Sequence, residues 1–277
     1  MAAFHTRSNS LPSSHHPLIP EFDEQLCRLR SSEAASSSST LLSGRLSGLQ
    51  DLHDCVDKLL LLPLNQQALS KQQNEKCVDE LFDGSLRLLD ICSMAKDTLQ
   101  QTKESTQELQ SIMRRRRGGE SSLSSEVKKF LNSRKAAKKA LHKAMENKCT
   151  FRLLNKDEQT VSVLREVQST TLAVIESMLS FISGPKSSGW SFVSKTMNSK
   201  KVSCEEVNEE NEFASVDAAL NLLISHKMKK SDSTLEENAQ NELKKLEICI
   251  QDLEEGVESL YRRLIKTRVS LLNILNH

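Results

Sequence analysis

Hydrophobic residues recur along most of this chain in steps of three and four, the spacing that places them on one face of an α-helix. The longest run lies at the C-terminal end. With Leu243 as position a of a heptad, the a positions are Leu243, Ile250, Val257, Leu264 and Leu271, and the d positions are Leu246, Leu253, Leu260, Thr267 and Ile274. Ser233 and Thr234 each stand three residues before a glutamate (Glu236, Glu237), a capping-box pattern that marks a helix start near Leu235. Acids dominate 236–258, and Arg262, Arg263, Lys266 and Arg268 follow with no further acid, an order that complements the helix dipole. A stripe of this length cannot remain in water, so other helices must cover it.

Upstream, Leu42, Leu46, Leu49, Leu52, Val56 and Leu59 predict a first helix that Pro63 stops. After a polar connector, a second long stripe runs Val78, Leu81, Ser85, Leu88, Cys92, Ala95, Leu99, Thr102, Thr106, Leu109, Met113, and Phe82, Leu86 and Leu89 widen its first half. Such width suits packing among several helices. Gly118 and Gly119 end it. A third helix over about 125–148 has a thin apolar face (Val127, Phe130 or Leu131, Ala137, Leu141, Ala144, Met145) and a broad basic one. A fourth, over about 156–183, follows Val161, Leu164, Gln168, Thr171, Ile175, Met178 and Ile182 to the stop at Gly184 and Pro185. Between them and the C-terminal helix, 186–212 reads as an irregular linker in which Trp190, Phe192 and Val193 dock and 200–211 stays mobile; Phe213, Val216, Leu220 and Leu223 then form a shorter helix. Residues 1–40 are Ser-rich and poor in apolar side chains, hence mostly disordered, with a short helix open over 21–33 on Phe22, Leu26 and Leu29.

Composition supports an all-α chain with an aliphatic core: 277 residues are only 4% aromatic, and no proline falls between Pro63 and Pro185. The reading is an elongated antiparallel bundle of about five to six helices with a long coiled-coil-like C-terminal helix, one domain over 41–277, and a disordered N-terminal tail. Seven cysteines have no two closer than 15 residues, so zinc and CxxC spacings are absent and they read as small core residues of a reducing compartment. No apolar run approaches the roughly 20 residues of a membrane span, and the first 20 residues lack the apolar region of a secretory signal. The expected location is the cytoplasm, with the nucleus also open.

Enzymatic chemistry finds little support. The histidines lack HxxxH and HExxH spacing, and no Gly-rich loop follows a strand. His53, Asp54 and Cys55 are adjacent in sequence, which on a helix turns them about 100° apart, so they read as a surface histidine and a core cysteine. No catalytic residue, cofactor or metal site is expected. Two binding signals stand out. The segment 114–152 carries 13 Lys and Arg against three Glu, a patch including Arg114, Arg115, Arg116, Arg117, Lys128, Lys129, Lys135, Lys138 and Lys139. It fits nucleic acid, an anionic membrane or an importin, or else a face neutralised within the fold by the acids of 205–212 and 236–258. In the tail, Arg7, Ser8, Ser10 and Pro12 match the Arg-Ser-x-Ser-x-Pro pattern of a phosphoserine ligand for 14-3-3 proteins. Phosphate on Ser10 would offer an arginine cluster two charges and three acceptors, and Pro12 would turn the chain out of the groove.

Several passages carry a family likeness: HTRSNSLPSSHHP (5–17), LCRLRSSE (26–33), SFISGPK (180–186), WSFVSK (190–195) and RLIKTRVSLLNILNH (263–277). On these the chain resembles the plant proteins of domain of unknown function 241, which include the BYPASS-type proteins. The resemblance implies a plant, non-enzymatic helical protein, with some members tied to root and shoot development through a root-derived mobile signal. It carries no catalytic or ligand-binding residues. Two functions follow as expectations: an interaction or regulatory protein in a developmental pathway, or a membrane-surface or nucleic-acid binder working through 114–152.

Overall fold

The computed structural model describes residues 18–31, 38–70, 75–115, 120–146, 159–184, 211–226 and 233–276. Among these residues eight helices and no strand occur: α1 (Leu18–Ser31), α2 (Ser39–Leu60), α3 (Pro63–Ser70), α4 (Glu75–Arg114), α5 (Glu120–Glu146), α6 (Gln159–Ser183), α7 (Glu212–His226) and α8 (Ser233–Leu275). The fold is all-α, as the hydrophobic period requires. Two helices exceed the expected set. The helix left open over 21–33 on sequence is α1, Leu18–Ser31, whose Phe22, Leu26 and Leu29 are buried. Pro63, read as a stop, also opens α3, because proline's fixed φ and missing N–H suit the first helical position. The connector expected there is thus partly a helix, with Leu69 buried.

The ends follow local chemistry. Ser38 adopts extended backbone, and its Oγ accepts from the Leu41 N–H at 3.2 Å, capping α2. Gly184 closes α6 in the left-handed conformation (φ 71°), its N–H donating to the Ser180 and Phe181 carbonyls. Asn211 caps α7 by accepting from the Ala214 N–H at 3.1 Å, while its Nδ2 donates to the Phe181 carbonyl at 2.7 Å, fixing the start of α7 to the end of α6. Residue 211, expected to be mobile, is therefore tied down. The docking of Trp190, Phe192 and Val193 and the character of 1–17 lie outside the described residues.

At about 1.5 Å per residue, the 43 residues of α8 span roughly 65 Å. Cross-helix contacts set the directions of its neighbours. Along α4 the partners Ser85, Lys96, Lys103 and Gln110 meet Arg268, Glu258, Glu254 and Glu247 of α8, so the two run antiparallel. Along α2 the partners Gln50, Asp54 and Asp57 meet Ser259, Arg263 and Thr267, so these two run parallel. Antiparallel to α2 lies α6, through Arg45 to Ser177 and His53 to Thr171. Since α2 and α4 each touch both α6 and α8, the four close around one core, with α1 and α3 added at one end and α5 and α7 at the other.

That core is the set of stripes. All a and d positions of α8 from Leu243 to Leu264 are buried, as is Leu271, with Thr267 and Ile274 half-buried. Along α4 every stripe residue from Leu81 to Met113 is buried. Buried hydroxyls of α4 are satisfied by their own helix: Thr98, Thr102 and Thr106 each donate to the carbonyl four residues back at 2.7–2.8 Å. Gly256 lets α8 approach α2 closely, since a Cβ there would sit 2.8 Å from Leu46 Cδ1. α2 carries two glycines, Gly44 and Gly48, and of these only Gly48 packs, against Leu29.

Candidate functional site: the α4–α8 seam and the α5 face

The second half of α8 is fastened to α2 by a row of polar contacts. Arg263 binds Asp54 through two hydrogen bonds (Nε to Oδ1, 3.1 Å; Nη2 to Oδ2, 2.9 Å) and donates from Nη1 to Ser259 Oγ at 2.7 Å. Those bonds, from the Arg263 guanidinium first, hold the Asp54 carboxyl below its usual pKa. One turn on, the buried Asp57 takes Thr267 Oγ1 at 3.0 Å and Lys266 Nζ at 3.0 Å. Of the basic residues that the sequence assigns to the helix dipole, Arg263, Lys266 and Arg268 thus have partners in another helix, while Arg262 pairs with Glu258 of α8 itself.

His53, expected on the surface, is buried between α2 and α6 with Nε2 3.1 Å from Thr171 Oγ1. Burial, with the positive Arg263 adding to it, drives its pKa down to about 4, so the ring is neutral at pH 7. The period of α2 explains the error: His53 follows Leu52 and stands one turn after Leu49, at the edge of the apolar face. Of the cysteines, Cys55, Cys92 and Cys249 are buried, and burial pushes the thiols up, Cys55 to about 11 and Cys92 to about 12. Cys27 is exposed rather than in the core, because it follows Leu26 on the outer side of α1. Among the described residues no group of three His, Cys, Asp or Glu side chains is placed to hold a metal ion.

The predicted basic patch separates into three parts. At the end of α4, Arg114 donates to Gln110 Oε1 at 3.1 Å and Arg115 to the Ser111 carbonyl at 3.2 Å; Arg116 and Arg117 lie outside the described residues. Lys129, itself exposed, pairs with Glu108 at 3.2 Å, which raises its pKa, and on the inner side of α5 Lys138 pairs with Asp217 of α7 at 2.7 Å. Arg134 is buried beside them, its Nη2 donating to the Ile182 carbonyl at 3.0 Å, its Nε 3.6 Å from Asp217 and its guanidinium 4.8 Å from the Phe213 ring centre. On the outer side, Lys128, Lys135 and Lys139 are exposed with no partner among the described residues. Of the acids expected to neutralise the patch, Glu254 and Glu258 bind Lys103 and Lys96 of α4 and Glu212 accepts from Ser39 at 2.5 Å, while 205–210 lie outside the described residues. Among the described residues the acids that pair with Lys129 and Lys138 are Glu108, Glu126 and Asp217. The phosphoserine motif at Arg7, Ser8, Ser10 and Pro12 lies outside the described residues.

One feature was missed on sequence. Where α4 meets the end of α8, Arg268 donates to the Phe82 carbonyl at 2.7 Å and to Ser85 Oγ, and lies 5.3 Å from the Phe82 ring centre. On the solvent side of that contact, Leu86 of α4 and Ile265, Val269 and Leu272 of α8 are each 38–48% exposed, and Phe82 and Leu89 are half-buried beneath them. Leu86 was expected to widen the packed face of α4, but the helix turns it outward. The signal was present in α8: Ile265, Val269 and Leu272 form a second three-and-four run beside the a/d seam.

Among the described residues no helix is long and apolar enough to cross a membrane. Neither a curated protein nor a solved structure matches the chain. The family model described as Protein BPS1 matches residues 45–274, from the second turn of α2 to the end of α8. This span takes in the α2–α8 clasp, the α5 face and the α4–α8 seam alike, and the chain belongs to the Protein BPS1 family.

Proposed function

We propose that this protein is a non-enzymatic regulatory factor of plant root and shoot development that acts by binding other proteins in the cytoplasm or nucleus. Family membership supports the developmental setting. The observation that carries the binding mode is the apolar row of Leu86, Ile265, Val269 and Leu272, left in water beside a seam whose a and d positions from Leu243 to Leu264 are covered. Replacing Ile265 and Val269 by Ser removes apolar contact area without entering the core. In a plant lacking the protein, the double variant should accumulate normally and fail to restore root and shoot growth. Full restoration refutes the reading.

The tail adds a regulated contact: phosphate on Ser10, read with Arg7, Ser8 and Pro12, recruits a 14-3-3 protein. A second reading rests on Lys128, Lys135 and Lys139, which face solvent unpaired among the described residues and suit an anionic membrane or nucleic acid. Binding of that kind weakens steeply between about 50 and 200 mM salt, whereas an apolar protein interface does not.

A further inference from the structure

We infer that the α4–α8 seam receives an amphipathic helix of another protein, apolar along one face and carrying Lys or Arg along one flank. The inference rests on the protein-binding reading above and adds the chemistry of the partner. The apolar floor is short: Phe82, Leu86 and Leu89 on α4 face Ile265, Val269 and Leu272 on α8, and seven residues of helix cover about 10 Å. Two turns of a guest helix, with apolar side chains at i, i+3 or i+4 and i+7, match that length.

The walls decide the charge of the guest. Along the outer side of α4, Asp79, Asp83, Asp90 and Asp97 are exposed, and none has an ion-pair partner among the described residues. Asp83 and Asp90 stand three before and four after Leu86, so their carboxylates border the apolar row directly. On the opposite wall the cations of α8 are already engaged: Arg262 with Glu258, Lys266 with Asp57, and Arg268 with Phe82 and Ser85. The groove therefore presents apolar surface with a row of unpaired carboxylates on its α4 wall and, on its α8 wall, cations that each have a partner among the described residues. A cationic flank on the guest meets unpaired carboxylates there, while an acidic peptide, an anionic membrane or nucleic acid meets repulsion.

The test uses the full chain and two synthetic 16-residue helical peptides with the same leucines, one with a lysine flank and one with glutamates in place of the lysines. Binding is read by fluorescence anisotropy at 50 and 300 mM salt, and self-association by light scattering over a range of protein concentrations. The lysine peptide should bind, the glutamate peptide at least tenfold more weakly. Ile265→Ser with Val269→Ser should weaken the lysine peptide at least tenfold at both salts. Asp83→Asn with Asp90→Asn should weaken it severalfold at low salt and little at high salt, and Asp23→Asn on α1 should leave it unchanged; thermal melts confirm that each variant is folded. If both peptides bind equally and both respond to the serine variant, the basic partner is refuted and apolar docking stands. If neither responds to the serine variant, both readings fall. If the protein self-associates and the serine variant does not, the occupant is a second copy and the basic helix is refuted.

Discussion

Acid should loosen this fold through His53 before any carboxylate contributes. The ring is enclosed between α2 and α6 against Thr171, and its pKa falls from the usual 6.5 to about 4. The unfolded chain takes up the proton below pH 6.5, whereas the folded protein resists it until about pH 4. Protons therefore favour the unfolded state across that window, and the contribution of the neutral ring is complete above 6.5, declines as pH falls, and is gone below 4. The gap corresponds to about 3 kcal/mol, at about 1.4 kcal/mol for each pH unit, against a typical total of about 5–15 kcal/mol. Asp54 and Glu258, held below their usual range by Arg263 and Lys96, act in the same direction only at lower pH. His53→Gln keeps a polar group toward Thr171 and does not titrate. Urea unfolding of both proteins at pH 7, 6, 5 and 4.5 should show the wild type losing stability relative to the variant by about 1.4 kcal/mol per unit below 6.5. Parallel curves for the two proteins would refute the enclosed neutral ring.

The buried Arg134 should show an asymmetry with Asp217: Asp217→Ala strands a charge that retains only a carbonyl and the Phe213 ring, costing about 3–5 kcal/mol, whereas Arg134→Met leaves Asp217 paired with Lys138 and costs about 1–3 kcal/mol by chemical denaturation. Equal losses would contradict the geometry. Leu253→Asp or Leu260→Asp places a carboxylate at a fully buried d position, and each variant should be unfolded or molten by near-UV circular dichroism, with a native melting curve as the contrary result. A phosphopeptide covering residues 3–16 should bind a plant 14-3-3 protein, and Arg7→Ala or Ser10→Ala should abolish capture of the full chain without changing its melting temperature. Equal binding by the unphosphorylated peptide would reduce the motif to a chance string.

The apolar stripes were legible because burial in a helix is periodic and local: every residue named for α7, and nearly every one for α4, α6 and α8, is in the core. α3 was not, since a proline that ends one helix reads the same whether or not another begins on it. The long-range ion pairs were hidden for a different reason. Nothing near Asp54 or Asp57 in sequence indicates that Arg263 and Lys266 complete them, because pairing depends on helix register. The α5 lysines looked alike in the sequence, and only the placement of Glu108 and Asp217 sorts engaged Lys129 and Lys138 from Lys128, Lys135 and Lys139, which have no partner among the described residues. Leu86, Ile265, Val269 and Leu272 resembled further core because hydropathy records side-chain type, and which neighbour stops short is a property of the assembled bundle.

The parallel clasp of α2 on α8 joins side chains 209 residues apart, and this governs how the chain must be made. At about 5–20 residues per second, a ribosome that has finished α2 needs roughly 10–40 s to reach the residues that will cover it. During that interval Leu46, Leu49 and Val56 have no α8 to lie against, and the chain can assemble only provisionally. Closing so long a loop is also slow relative to hairpin-like pairings such as α1 with α2. A message truncated anywhere before Arg263 would therefore release a chain whose early helices are intact in sequence yet lack their latch, a product that protein quality control should remove.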